Sequence, residues 1–538
     1  LSVLAPAPLR RRAVGRIAGA SPSLGANALA ADWDCCSLDG QPVGGLDDWR
    51  RILREGRLAE VSGAWALAWT DASGVLRLAR DPIGERTVYY AAAGGRVAFG
   101  STLGAVLDSG LVERRLHLPA LATYLSWAYV PGEDTLVAGV RECLPGELVE
   151  FAASTVRRSR LWNPPPEPDE SGADEAALTT RLRAALERAV RRRLPTGEPV
   201  AATLSGGIDS SLVVALARKL HDSPVAAYSV FFGERYPNEL AWSALVARHC
   251  GVPHRVVEIT PGAVLERLDD TIAQLSDPIG DPLTVPNALL FRAAADEAGV
   301  VLNGEGGDPC FGGPKNLPMV LASLFDGTLA TADGAFAHEA SYLRAHQKCY
   351  DDLAEMLAPD VRAALRDRPL ERFVARDLAD PRWRTMVQRL QWINLARKGA
   401  HHILHKVDEV SAPAGVLSRA PLFDRDVVEC AFAIPPQLKL RGAVEKYLLK
   451  RAVADLLPRE IVDRPKSGML VPVEGWFRGP LAAAARERLL DGLAPRGLFD
   501  RAWLERLVAG KLGGLRPRHG VKIWLLVTLE AWLRRVLD

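Results

Sequence analysis

The sequence predicts an α/β protein of two domains, a β-rich N-terminal one followed by a larger, doubly wound parallel one. Three observations predict it. At 538 residues the chain is too long for a single hydrophobic core. Residues 161–175 carry Asn-Pro-Pro-Pro-Glu-Pro, a stiff, helix-incompatible linker between 1–160 and 176–538. Finally, short alternating runs precede this linker, whereas helix and strand patterns alternate after it.

Before the linker, residues 64–70, 75–79, 87–92 and 96–100 read as strands of an antiparallel meander, each with apolar residues at every second position. After it the order is helix 174–193, strand 199–204, helix 208–221, strand 225–231, helix 238–250 and strand 255–259. Such alternation builds a parallel sheet with helices on both faces. Beyond Pro314 the pattern is mostly helical, with a helical insertion over 314–400 and a last helix over 520–537.

Composition excludes several classes. Lys and Arg total 67 against 65 Asp and Glu, a net charge of +2, which gives no electrostatic case for a nucleic-acid partner. No apolar run reaches spanning length, so neither a membrane anchor nor a membrane partner is expected. Seven scattered cysteines without metal-ligand spacing suit a reduced, cytoplasmic protein, and the adjacent Cys35 and Cys36 read as incidental. Only 11 of the 67 basic residues are lysine, so a lysine within a motif carries added weight.

The chemistry-bearing stretch is Thr203-Leu-Ser-Gly-Gly-Ile-Asp-Ser-Ser, an apolar strand running into a glycine-rich turn that opens an amphipathic helix. Ser205, Gly206 and Gly207 let the backbone approach a ligand closely, and the free N–H groups of the helix supply donors to a pyrophosphate. Asp209 makes sense there if a Mg²⁺ sits between carboxylate and phosphate oxygens. A second strand, Val300-Val-Leu-Asn, ends in Gly304-Glu-Gly-Gly-Asp. Asp209 and Asp308 are therefore expected to hold one metal jointly, and Glu305 to receive a proton from an attacking amine.

Ser205-Gly-Gly-Ile-Asp-Ser resembles the pyrophosphate loop of the N-type ATP pyrophosphatases, which cleave ATP to AMP and pyrophosphate. Together with Tyr228-Ser-Val-Phe-Phe, Arg419-Ala-Pro-Leu-Phe-Asp, Glu445-Lys-Tyr-Leu-Leu-Lys-Arg and Leu457-Pro-Arg-Glu-Ile-Val-Asp-Arg-Pro-Lys-Ser-Gly, it makes residues from about 176 to 535 resemble the synthetase domain of the asparagine synthetase family. Residues up to about 155 resemble that family's glutaminase domain, through Leu78-Ala-Arg-Asp-Pro-Ile-Gly-Glu-Arg, Tyr129-Val-Pro-Gly and Leu144-Pro-Gly-Glu. The fold implied is a degenerate Ntn-glutaminase-like αββα domain followed by a HUP-like α/β ATP pyrophosphatase. The resemblance implies ATP contacts at Leu204, Ser205, Gly206, Gly207, Asp209, Ser210, Val230 and Gly304, with Mg²⁺ as the metal. It also makes Lys466 the active-site cation that stabilises charge on the α-phosphate and on the acyl intermediate.

Two departures narrow the resemblance. The family's glutaminases use an N-terminal cysteine, whereas this sequence begins Leu-Ser-Val, and their oxyanion stretch Asn-Gly-Glu-Ile-Tyr-Asn has no counterpart among residues 30–60. A glutaminase fold kept for packing, without ammonia production, is expected. In addition, 100 residues separate Asp308 from Asp408, far more than asparagine synthetases use, and Gly306-Gly-Asp-Pro-Cys-Phe-Gly-Gly-Pro-Lys resembles the lasso-peptide cyclases. The substrate implied is a precursor peptide, with a leader peptidase and a leader-binding protein as partners. A small-molecule amide synthetase and a non-catalytic peptide-binding scaffold are the competing readings.

Overall fold

The computed structural model describes residues 18–20, 27–152, 155–168, 173–313, 336–442, 444–465, 468–514 and 518–538. In the N-terminal domain, Leu29–Leu38, Ser62–Thr70, Leu76–Arg80, Glu147–Ala152 and Thr155–Arg160 pair antiparallel, with short Gln41–Pro42 at the edge, into a six-stranded sheet. Ala18–Ala20, Arg96–Gly100, Tyr89–Ala93 and Val140–Glu142 make a four-stranded one. Alternation decides what each face meets. Ala66 and Ala68 point at Tyr90 and Phe99 of the other sheet, whereas Trp65 and Leu67 pack outward on Trp49 and Ile52 of helix Leu46–Arg54. With helix Leu118–Trp127 on the far side, the layering is αββα, as expected.

The single meander is not found: the strands expected over 87–92 and 96–100 lie in the second sheet. The reason is the turn between Arg80 and Thr87. The buried Asp81 carboxylate accepts the N–H groups of Ile83, Gly84, Glu85 and Arg86 (2.7–3.0 Å), which swings the chain from one sheet to the other.

The second domain holds a parallel sheet in the order His254–Glu258, Val225–Phe231, Val200–Thr203, Val300–Leu302, Leu417–Arg419. The last strand was not expected, because Leu417-Ser-Arg is too short to display an alternation and, unlike Val300-Val-Leu, is not an apolar run. Chain order reverses between Val200–Thr203 and Val300–Leu302, and the crevice outside the carboxyl ends of such a pair is where open α/β sheets bind ligands.

Of the expected insertion, residues 314–335 lie outside the described residues. The rest is helical, but its end at 400 is not a boundary. Met386–Ile393 runs on through the wider π turns of Asn394–Leu404 into His405–Ser411. The proline-rich linker is stapled down: Glu167 accepts the backbone N–H groups of Arg384 (2.5 Å) and Thr385 (3.0 Å). Buried ion pairs join the domains, namely Arg86 to Asp408 (3.0 Å), Arg193 to Glu85 (2.7 Å) and Arg419 to Asp34 (2.8 Å).

Candidate active site

At the end of Val200–Thr203, the Leu204 N–H donates to Tyr228 O (2.7 Å), and helix Ile208–Leu220 starts three residues after Ser205. The turn is shaped by its own hydroxyls. Ser205 Oγ accepts from the Gly207 N–H (3.3 Å), and Ser210 Oγ accepts from the Ser205 N–H (3.1 Å) while donating to Gly207 O (3.2 Å). Gly206 carries a constraint beyond its expected role. At φ +77° it needs to be glycine, and a Cβ there would sit 2.5 Å from Trp242 Cβ, so it also serves close packing on helix Leu240–Cys250.

The second turn locks onto the first. A Cβ on Gly304 would stand 2.5 Å from Ser210 N, and one on Gly307 would stand 2.1 Å from Asp209 Oδ1. This intimacy brings Asp209 and Asp308 to one point, which is occupied by a residue the sequence reading passed over. Lys446 Nζ lies 2.5 Å from Asp209 Oδ2 and 2.5 Å from Asp308 Oδ1. Lys446 is buried and sits at φ +55°, immediately before helix Tyr447–Val453. The scarcity of lysine and its place in the Glu445-Lys-Tyr motif were the signals that could have found it.

Two carboxylates that already share a point cation fit a divalent metal, and Mg²⁺ commonly takes one or two carboxylates plus phosphate oxygens and water. Among the described residues no group of three or more His, Cys, Asp or Glu could hold a metal without such outside ligands.

A cavity of about 430 Å³ opens beside these turns. Leu204, Ser205, Gly207, Asp209, Ser210 and Val230 line it, as do Gly304, Glu305 and Asp308. Lys466 lies outside the described residues. Its neighbour Arg464 donates to Gly206 O (3.1 Å) and to Glu239 (2.5 Å), and Gly468 borders the cavity. Glu305 is aimed by an Asx turn, its N–H donating to Asn303 Oδ1 (3.0 Å), and its half-buried carboxylate forms no ion pair with the described residues.

The rest of the wall comes from elsewhere in the chain. Trp127, Ala128 and Tyr129 belong to the N-terminal domain, and His346, Lys348, Lys398 and His402 to the long interval between Asp308 and Asp408. The N-terminal domain therefore does more than pack. Asp281 accepts from Lys406 Nζ (2.6 Å) and lies 3.2 Å from His402 Nε2. Burial would raise the Asp281 pKa, but Lys406 and His402 hold it well below the carboxylate range. Burial pushes His402 down to about 4 against the pull of Asp281, so its ring is neutral. Away from this site, burial and the neighbouring Asp34 push the Cys35 thiol up to about 12, which makes it a poor nucleophile.

The family model "Asparagine synthase" matches residues 181–534. The chain belongs to the asparagine synthase family. It is thereby an ATP-dependent carbon–nitrogen ligase, and a glutamine amidotransferase domain model matches residues 53–162. Among similar proteins, asparagine synthetase [glutamine-hydrolyzing] 1 of Bacillus subtilis (strain 168) is 24% identical over 507 residues, covering 90% of this chain and 79% of that one. Asparagine synthetase [glutamine-hydrolyzing] 3 of the same organism is 26% identical over 428 residues (76% and 67%). Amidase chyE of Penicillium rubens is 24% identical over 486 residues (79% and 72%). Among the described residues no helix is long and apolar enough to cross a membrane.

Proposed function

We propose that this asparagine-synthase-like ligase is a lasso-peptide cyclase. It adenylates an Asp or Glu side-chain carboxylate of a precursor peptide and closes an isopeptide macrolactam with that peptide's N-terminal amine. The observation that carries this reading is the placement of the interval between Asp308 and Asp408. Its residues His346, Lys348, Lys398 and His402 line the same cavity as the pyrophosphate turn, so the added chain faces the chemistry.

In the first step the acceptor carboxylate oxygen bonds to the α-phosphorus, and the bond to the bridging oxygen of pyrophosphate breaks. The N–H groups opening helix Ile208–Leu220 would take the charge of the departing pyrophosphate, while the buried Lys446 holds Asp209 and Asp308 in place beside it. Asp209 and Asp308 would hold Mg²⁺, which supplies further charge neutralisation. Lys466 is assigned the charge on the α-phosphate and on the acyl intermediate by its motif. In the second step the amine nitrogen attacks the acyl carbon, AMP departs with the bonding electron pair, and Glu305 takes the amine proton. Ring closure is intramolecular, so holding one peptide geometry away from water yields a large effective molarity. A leader peptidase and a leader-binding protein complete the scheme as partners.

The test is a synthetic linear core peptide with ATP. A product lighter by one water and resistant to N-terminal labelling, with AMP and pyrophosphate released and no glutamine required, is the expected result. The rival small-molecule amide synthetase is favoured by the similarity to asparagine synthetases over most of the chain. Turnover of free aspartate with ammonia, or of a small β-amino acid, while every acidic core peptide stays linear would replace the cyclase reading with that one.

A further inference from the structure

Among the described residues, the five carboxylates and five cations around the cavity are unevenly distributed. Asp209 and Asp308 share Lys446, Glu239 takes Arg464, and Asp281 takes Lys406. Lys348 and Lys398 line the same cavity, are half-buried, and form no hydrogen bond or ion pair with the described residues, leaving two cations against Glu305. Lys398 stands four residues before His402 on one helix, and the His402 ring stacks on Tyr129 (centroids 5.0 Å apart, 10° between planes). The Tyr129 hydroxyl is itself buried without a hydrogen-bond partner among the described residues. Two unpaired ammonium groups beside an aromatic wall are costly to keep unless an anion visits them.

We propose that Lys348 and Lys398, backed by Trp127 and Tyr129 of the N-terminal domain, form the acceptor subsite that receives the carboxylate to be activated. The inference rests on the cyclase reading for the peptide nature of that acceptor, and on the cavity alone for its charge. The lysines supply the charge complement. The aromatic rings supply an apolar wall that keeps water from the acyl group and accommodates the chain on either side of it. Burial, with Arg518 and Lys398 nearby, lowers the pKa of Lys348, and Asp281 opposes it. An arriving carboxylate would stabilise its charged form.

The test is ATP–pyrophosphate exchange with Lys348→Gln, Lys398→Gln and the double variant. The substrates are a linear peptide with an N-terminal Gly and a single Asp or Glu, and, in a parallel arm, free aspartate. The amide counterpart of the peptide, with Asn or Gln in place of the acid, serves as competitive inhibitor. For the double variant, KM of the acidic peptide should rise about 10- to 100-fold, as for loss of charge-assisted contacts, while KM for ATP and Ki of the amide peptide stay within about twofold. Arg at both positions should restore most of the loss. A rise in KM for ATP instead would assign the two lysines to nucleotide phosphate, and equal weakening of the acid and amide peptides would reduce them to structural wall. Either overturns the subsite. If only aspartate supports exchange and its KM rises in the double variant, the subsite stands while the cyclase reading falls. If the peptide is exchanged with unchanged KM in the variants, the cyclase reading survives and the subsite falls.

Discussion

Lys446 Nζ stands 2.5 Å from Asp209 Oδ2, and the same ammonium stands 2.5 Å from Asp308 Oδ1. One protein cation thus holds together the two carboxylates expected to bind the metal. Lys446→Met would leave the buried Asp209 facing Asp308 without that charge, a loss on the order of a few kcal/mol. Turnover should fall at least about 100-fold, as when a preorganised charge contact is removed. Because Mg²⁺ can replace the missing charge, millimolar Mg²⁺ should recover part of the lost melting temperature in Lys446→Met. It should recover none in Lys446→Met combined with Asp209→Asn. Thermal unfolding with and without Mg²⁺ checks this, and identical responses of the two variants would remove the carboxylate pair from metal binding.

Gly307 gives a steric test of the same geometry. A Cβ at this position would fall 2.1 Å from Asp209 Oδ1, so Gly307→Ala must push the carboxylate away. The φ of Gly307 is not in the left-handed region, so the backbone itself tolerates alanine. The expected result is a folded protein with kcat lowered about 100-fold or more and a raised Mg²⁺ requirement. Wild-type kinetics in Gly307→Ala would mean that Asp209 does not act from this position.

Glu305 should separate the two steps. Its backbone N–H is fixed by Asn303, whereas its carboxylate forms no ion pair with the described residues and remains available to an amine. Glu305→Gln should retain ATP–pyrophosphate exchange within about threefold and slow ring closure by about 10²–10⁴, letting acyl-adenylate accumulate to be trapped with hydroxylamine. Equal loss of exchange and closure would exclude the proton-accepting role.

What the sequence made legible follows from how local each signal is. The two glycine-rich turns were readable because strand, turn and helix onset are contiguous, and Asp209, Glu305 and Asp308 lie within them. Lys446 was not, since its contact with Asp209 spans 237 residues and its local setting reads as the start of an ordinary amphipathic helix. Trp127 and Tyr129 were hidden for the same reason: no periodicity in the N-terminal domain says that helix Leu118–Trp127 ends at a cavity of the other domain. The packing of Gly206 on Trp242 was not legible, because a phosphate turn and a close helix approach both demand glycine. The second sheet was misread because a hydrogen-bonded turn around Asp81, rather than strand composition, decides which sheet the next strand enters.

The domain boundary carries a pH dependence. His405 lies 2.7 Å from Glu409 and 3.2 Å from Tyr89 Oη of the N-terminal domain, with Glu142, Asp277 and Arg80 also near. Burial works against its charge, but Glu409 prevails and raises its pKa to about 9. A histidine raised from about 6.5 when unfolded contributes stability that is complete below pH 6.5 and is lost as pH rises through about 9, up to about 3 kcal/mol. Asp277, raised by burial to about 7, contributes stability that is complete below about pH 4 and is lost as pH rises through about 7, below the range of His405. Between pH 7.5 and 9, Lys439, which burial lowers to about 7, gains stability as pH rises and so opposes His405, and only a comparison of two proteins that both carry Lys439 isolates His405. Glu409→Gln removes the partner, leaving the ring neutral in both states across that window. The wild-type melting temperature should drop relative to that of Glu409→Gln between pH 7.5 and 9, the difference between the two curves discounting Lys439 and the buried thiols common to both. Parallel curves would mean that His405 is uncharged in the folded protein and that Glu409 is held by its other donors, the N–H and hydroxyl of Ser276.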